Sequence, residues 1–385
     1  MNPTAEFDLI VYGASGYTGR LVAEHLAKRY GVGGEVKWAM AGRSAEKLAQ
    51  VRDEIGAPKD TPLLTADAGD PDQVRKLVRR TKAVITTVGP YQLYGSDLVA
   101  ACAEAGTDYL DLCGEPTWMR QMIDAHEAAA KASGARILFS CGFDSIPFEL
   151  GVYFTQETAK AKLGGPVPRV KGRVRAMQGG LSGGTAASGK ATMEALQKDP
   201  SLMAVMMSPF GLTPGFQGPA QPPGMSAEED PDVGPVSPFM MAVINTKNVH
   251  RSNLLMGHPY GQDFTYDEMV MGGPAGPATF TDLGALPGGG PKPGEGPTPE
   301  EREAGFYDLL FIGIGQDGRK VRASVKGDKD PGYGSTSKML AETALALVNA
   351  PDVPGGIWTP GAALQGRLVE RLSQNAGLTF EVEAA

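Results

Sequence analysis

Residues 7–19, FDLIVYGASGYTG, constrain this chain more than any other stretch. Leu9, Ile10, Val11 and Tyr12 form a short β-rich apolar run, as a strand buried on both faces should. Gly13, Gly16 and Gly19 follow at three-residue spacing, and a helix with Val22, Leu26 and Tyr30 on one face comes next. Strand, glycine turn and helix in that order are the context of a dinucleotide fingerprint. Gly13 permits the tight turn, Gly16 lets the backbone approach a pyrophosphate, and Gly19 lets the helix pack against the strand. The N–H groups that open the helix then face phosphates. The spacing is G-x-x-G-x-x-G rather than G-x-G-x-x-G. In a chain with 52 glycines, its place at the head of a βαβ pattern gives it weight. The whole turn, Gly13, Ala14, Ser15, Gly16, Tyr17, Thr18 and Gly19, is therefore the candidate cofactor contact.

Strands are expected at 9–12, 36–41, 63–66, 83–88, 109–112 and 136–140, with helices between them, among them one opened by Asp70 and Pro71. Six strands separated by helices imply a doubly wound parallel sheet over residues 1–150. The second strand ends Ala41-Gly42-Arg43. An NAD enzyme usually places an acid here, on the ribose hydroxyls. Arg43, with Ser44 and Lys47 close behind, suits a 2′-phosphate instead, so NADP is favoured over NAD. Asp67 ends the third strand as an adenine-side contact or a turn carboxylate.

Ligands gather beyond the carboxyl ends of strands in open α/β sheets. Gly89, Pro90 and Tyr91 after the fourth strand, and Gly114 and Glu115 after the fifth, border the nicotinamide end on this logic. Tyr91 either donates a proton or walls the pocket. After the sixth strand, Asp144 or Ser145 caps a helix beginning near Pro147, and both are placed beside the hydride. Tyr91, Asp144 and Ser145 are the catalytic candidates.

Beyond residue 151 the pattern changes. Segments 169–177, 239–245, 264–271, 306–314 and 320–326 alternate, which predicts a second α+β domain on a mainly antiparallel sheet over 151–330. Gly/Pro-rich stretches 211–238 and 272–299 read as too irregular for core elements, and serve as lids or oligomer contacts. A helix is expected over 335–348 and a C-terminal helical segment over 351–385. Arg169, Lys171, Arg173 and Arg175 share one strand face, and Lys320, Arg322 and Lys326 another. Such faces either receive a phosphate-bearing carrier, coenzyme A or an acyl carrier protein, or are plain solvated surface. Ten of the 16 methionines lie between residues 193 and 271, as core filler or as the lining of an acyl pocket.

A net charge of −8 argues against a nucleic-acid binder. Three widely spaced cysteines suit reduced thiols in a cytoplasm. Four histidines with no H-x-x-x-H pair give no metal site. No apolar run reaches the roughly 20 residues of a membrane span. Peripheral lipid contact and a homodimer stay open.

GASGYTGRLVAEHLA, AGRSAEKL, TTVGPYQLYG, YLDLCGE and CGFDSIPFELG resemble the saccharopine dehydrogenase-like oxidoreductases. PFMMAVIN, VHRSNLL, DPGYGSTSKMLAETALAL and WTPGAALQGRLVERLSQNAGLTF resemble the actinobacterial branch that includes trans-acting enoyl reductases. The resemblance implies a Rossmann domain, a mixed sheet domain inserted in it, and a C-terminal helix at about 331–350 returning to the first domain. It carries Gly13, Ser15, Gly16, Thr18, Gly19 and Arg43 across as NADP contacts, and no assured catalytic residue. It implies NADP-dependent reduction of an enoyl or related acyl intermediate. A saccharopine-type C–N dehydrogenase, which needs basic groups such as Arg251 or the strand arginines to clamp carboxylates, is the alternative. A non-catalytic NADP-binding redox regulator is the third reading.

Overall fold

The computed structural model describes residues 5–180, 183–272, 278–279 and 294–384. The first sheet is built from β1 (Phe7–Tyr12), β2 (Trp38–Gly42), β3 (Leu63–Thr65), β4 (Thr81–Thr86), β5 (Asp108–Leu110) and β6 (Arg136–Leu138). Between them run α1 (Tyr17–Tyr30), α2 (Ala45–Glu54), α3 (Pro71–Val78), α4 (Tyr91–Tyr94), α5 (Ser96–Ala105) and α6 (Pro116–Ser133). Leu9, Ile10 and Val11 are wholly buried, as expected of a strand covered on both faces. Asp70 caps α3 by accepting from the N–H groups of Asp72 and Gln73.

From α7 (Ile146–Leu163) the chain enters the second sheet. It contains β7 (Arg169–Gln178), α8 (Gly183–Lys198), α9 (Met203–Met207), β8 (Glu228–Asp230), β9 (Gly234–Pro238), α10 (Ala242–Leu255), β10 (Thr265–Met271), β11 (Ala278–Thr279), α11 (Pro299–Ala304), β12 (Phe306–Ile314) and β13 (Lys320–Gly327). The chain closes with α12 (Thr336–Val348), β14 (Gly356–Trp358), α13 (Pro360–Leu364), α14 (Gly366–Asn375) and β15 (Leu378–Glu383).

The first sheet is all parallel in the order β14-β6-β5-β4-β1-β2-β3. Strand order reverses between β1 and β4, which opens a crevice at their carboxyl ends. The second sheet, β15-β13-β12-β7-β10-β9-β8 with β11 beside β7, is mixed and mainly antiparallel. A Rossmann-type sheet joined to an α+β domain is the fold class read from the sequence.

Three expectations are corrected. Segment 239–245 is not a strand: Phe239 closes a turn and α10 begins at Ala242. A six-residue apolar run, Phe239 to Ile244, looks alike in either state, and the polar turns that follow are buried here rather than solvated. Segment 211–238 does hold regular structure, since β8 and β9 extend the second sheet at its edge as mostly exposed strands. They were hidden because charge holds them more than apolar alternation does: Asp230 of β8 takes Lys171 and Arg173 of β7 at 2.8 and 2.7 Å. Segment 351–385 is not simply helical. β14 extends the first sheet and β15 the second, so this tail is shared between both. The stretch 272–299 lies largely outside the described residues.

The basic strand faces are covered. Arg169 and Arg173 pair with Asp267, Lys171 and Lys320 with Asp232, Arg175 with Asp308 and Glu383, and Lys326 with Glu381. Arg322 donates to the Asp232 carbonyl. Lys171 and Arg173 are spent inside the sheet, while Lys320 and Lys326 make their pairs at the solvated surface. The methionines divide: Met269 is core, while Met193, Met203, Met207, Met225 and Met240 are exposed.

α12 packs on α1 through a fully buried carboxylate. Glu342 bonds His25 at 2.7 Å and Arg371 at 2.8 Å, and accepts from the Tyr30 hydroxyl at 2.8 Å. Arg136 at the start of β6 grips Asp108 of β5 and donates to the Ala350 carbonyl at 2.6 Å. At the joint between the sheets, Gly151 of α7 is needed because a Cβ there would lie 2.2 Å from the Phe311 ring.

Candidate active site

The glycine turn is shaped by close approach. Gly13 has φ +89°, and a Cβ on it would lie 2.8 Å from both Thr87 Oγ1 and Val88 Cγ2. A Cβ on Gly19 would meet the Gly13 carbonyl oxygen at 2.2 Å. Those two glycines let β1, α1 and the end of β4 close on one another. Gly16 differs: its φ of −83° suits any residue, and its Cβ would have one neighbour, the Gly13 oxygen at 3.2 Å. Ser15 and Gly16 face solvent. α1 begins with no side-chain cap and no acid in its first turn. An uncapped helix start behind an open glycine is a cradle for a pyrophosphate, and a side chain at 16 would fill it. Ala14 is packed inside, with its N–H spent on the Ala41 carbonyl at 3.1 Å. Thr18 is half-buried. Tyr17 turns away from the open face. Its hydroxyl donates to the Pro297 carbonyl and accepts from Arg302 at 3.0 Å, and its ring meets Tyr333 edge-on at 5.1 Å.

At the end of β2, Arg43 is exposed and has no hydrogen bond or ion pair among the described residues. Ser44 caps α2 by accepting from Lys47 N at 3.2 Å. Asp67 is exposed and accepts from Gly69 N at 2.9 Å, the turn geometry its position predicted. Arg43 and Asp67 act electrostatically on the Tyr12 hydroxyl from opposite signs. Burial first and Asp67 second push that phenol up to about 12.

Beyond β4 the Gly89–Pro90 peptide is cis. Gly89 lies against α8, where a Cβ would sit 3.7 Å from Ser188 Oγ. Tyr91 is built into the wall: its hydroxyl donates to the Thr86 carbonyl at 3.3 Å and accepts from Leu112 N at 3.1 Å, and its ring stacks on Trp118 at 5.9 Å. Glu115 is buried and caps α4, accepting from Tyr91 N at 3.0 Å and Gln92 N at 2.9 Å. Asp111 holds the next turn, taking the N–H groups of Cys113 and Ser140 at 2.9 Å each. Burial pushes its carboxyl up to about 7. Ser140 is thereby held at φ +58°, a conformation side chains rarely adopt.

The two candidates after β6 differ. Ser145 occupies the N-cap position of α7 but makes no cap bond. Its hydroxyl donates to Glu149 at 2.5 Å and accepts from Asn248 at 2.8 Å. Asp144 is partly exposed and makes no hydrogen bond among the described residues. Desolvation pushes its carboxyl up to about 6.

α10 is the element sequence reasoning missed. Asn245, Lys247, Asn248, His250, Arg251, Ser252 and Asn253 are all buried in it. Asn248 and Ser252 reach Ser145 and Glu149 of α7, while Asn245 donates to Glu268 of β10 at 2.8 Å. Arg251 donates to the Leu212 and Ile357 carbonyls at 2.8 and 2.6 Å. A helix of this polarity reads as solvated. It is buried because it runs through the seam between the two sheets.

An open glycine turn at a topological switch point, with a mixed sheet joined behind it, defines a Rossmann-type nucleotide-binding protein with a second α+β domain. Residues 9–138 match the model of the saccharopine dehydrogenase NADP-binding domain. The chain belongs to that family, in company with mycobacterial trans-acting enoyl reductases. It is 35% identical over 409 residues to a trans-acting enoyl reductase of Mycobacterium ulcerans, covering 96% of each chain. It is 38% identical over 411 residues to a Mycobacterium tuberculosis protein that carries the same name provisionally, covering 98% of this chain and 97% of the relative. Among solved structures, saccharopine dehydrogenase (L-Glu forming) of Saccharomyces cerevisiae matches with a TM-score of 0.57 at 10% identity, over 98% of this chain and 100% of the other. At that identity the likeness is one of fold. Among the described residues no helix is long and apolar enough to cross a membrane.

Proposed function

We propose that this chain is an NADP-dependent reductase of an enoyl or related acyl intermediate carried as a thioester. The observation that carries the reading is the open face of the glycine turn with an unpaired Arg43 at the end of β2. A free guanidinium there gives a 2′-phosphate a bidentate partner, where an acid would repel it. The mycobacterial relatives named for enoyl reduction support the reaction class.

The fate of the cations favours an acyl substrate over an amino acid. A C–N dehydrogenase of the saccharopine type needs free basic groups to hold several carboxylates. The arginines and lysines of β7 are ion-paired inside the sheet, and Arg251 is spent on two backbone carbonyls. NADPH, when bound, would supply the hydride. The chain's part is to align the acyl carbon beside the β4 and β6 loops, keep water out, and hold a proton for the neighbouring carbon. Of the three expected donors, Tyr91 and Ser145 already have both roles of their hydroxyls occupied. Asp144 has unspent oxygens, and desolvation raises its pKa to about 6, so a fraction of it stays protonated near neutral pH.

NADPH absorbance followed with crotonyl-CoA tests this reading, and its consumption is the expected result. Consumption with an oxo acid plus an amino acid, and none with crotonyl-CoA or longer 2-enoyl thioesters, refutes it in favour of C–N chemistry. Tight NADPH binding with no turnover on either panel points to a redox regulator.

A further inference from the structure

Five lysine and arginine side chains are buried among the described residues: Arg136, Lys171, Arg173, Lys247 and Arg251. Arg136 holds Asp108. Lys171 and Arg173 share Asp230 and reach Asp232 and Asp267. Arg251 has two backbone carbonyls, with Glu127 at 3.9 Å. Lys247 stands apart. It is 2% exposed, and its ammonium donates one hydrogen bond, at 2.8 Å, to the carbonyl of Val243 one turn back along its own helix. Among the described residues no carboxylate answers it, and two of its three N–H donors have no partner. Removing a cation from water without a partner is costly, and folded chains rarely retain one that does nothing.

The surroundings show what is missing. Lys247 shares its face of α10 with Ile244, which packs into the apolar cluster of Tyr91, Trp118 and Leu212 in the first domain. It folds back beside Val243, 44% exposed. His250, one turn on, lies tilted against Phe210, with ring centroids 4.6 Å apart. Burial alone pushes the Lys247 ammonium down to about 8, so it stays largely cationic at neutral pH. The seam thus offers a buried cation with open donors beside the exposed side chain of Val243.

We propose that Lys247 is the group that receives the carbonyl oxygen of an acyl ligand, whose chain lies over the exposed side chain of Val243. The shared chemistry is an acyl oxygen on an apolar chain, from a thioester or a free fatty acid. This deepens the reductase reading and rests on it for the reaction, though not for binding.

Lys247→Met keeps the length of the side chain and removes the charge. Because the charge is uncompensated in the free protein, the variant should melt at or above the temperature of the unaltered chain and bind NADPH equally. Its affinity for dodecanoyl-CoA, or for dodecanoate if the free acid is the ligand, should fall about 10- to 100-fold. Lys247→Arg should recover part of that affinity. A structural lysine gives the opposite pattern, with melting lowered and acyl binding unchanged, and that result overturns the proposal. So does a failure of the unaltered chain to bind either acyl probe. The two readings fail separately. Turnover of crotonyl-CoA with unchanged KM and kcat in Lys247→Met removes the site and keeps the reductase. Acyl binding lost in Lys247→Met, with no turnover by the unaltered chain, keeps the site and removes the reductase.

Discussion

Arg43→Ala separates the two nicotinamide nucleotides. Arg43 is exposed and has no partner among the described residues, so truncating it breaks no internal contact. Its effect on stability should lie within about 0.5 kcal/mol. A charge-assisted hydrogen bond to a phosphate contributes roughly 1.5–3 kcal/mol, which is about ten- to a hundredfold in affinity. Exposure places the effect toward the lower end in physiological salt and raises it when salt is withdrawn. Titration by nucleotide fluorescence should show NADPH weakened by that factor in Arg43→Ala, with NADH almost unchanged. Arg43→Asp should go further and tilt preference toward NADH. Gly16→Ala is the control, since its φ of −83° accepts a side chain and the Gly13 carbonyl oxygen, 3.2 Å from the new Cβ, need shift by only a few tenths of an ångström. It should fold normally and weaken both nucleotides alike, because the added methyl intrudes on the shared pyrophosphate. Equal losses of NADPH and NADH in Arg43→Ala would remove the 2′-phosphate assignment and leave the guanidinium with no ligand role.

Other perturbations test the frame around the site. Asp108→Ala leaves Arg136 charged and buried, and should cost about 3–5 kcal/mol in denaturant unfolding; a loss below about 1 kcal/mol means the guanidinium finds another partner. Tyr91→Phe strips the acceptor from Leu112 N and should cost roughly 1–3 kcal/mol, while turnover stays within about tenfold. A far larger fall in kcat with little loss of stability would make Tyr91 a proton donor. Glu268 has its carboxyl pushed up to about 8, with burial the leading cause. Its folded value lies above the unfolded one, so folding favours the protonated acid, and ionisation lowers stability as pH rises from about 4.5 to about 8. Glu268→Gln should flatten that part of the stability–pH curve and melt higher than the parent at pH 8–9; an unchanged slope would mean that the carboxylate is well satisfied.

Apart from β14, the amino-acid sequence alone determined the strands of the first sheet, six of the seven. Its strands are buried on both faces, so each is a compact apolar run, and each is followed by local punctuation: Gly13 with φ +89° after β1, Asp70 capping α3, Gly89-Pro90 after β4. Short-range rules act within a dozen residues, and they placed the glycine turn, Arg43 and the loops after β4 and β6. What the chain does with groups distant in sequence was not legible. Arg169, Lys171, Arg173 and Arg175 form a basic face in the sequence; in the fold they meet carboxylates from four other strands and loops and carry no free charge to a ligand. Ser145 looked like a donor until Asn248, 103 residues away, and Glu149 occupied its hydroxyl. α10 was hidden for the same reason. TKNVHRSN is polar by composition, and burial of such a run is decided by which two sheets close on it. That closure leaves Lys247 without a carboxylate among the described residues, a consequence of tertiary packing that no periodicity encodes.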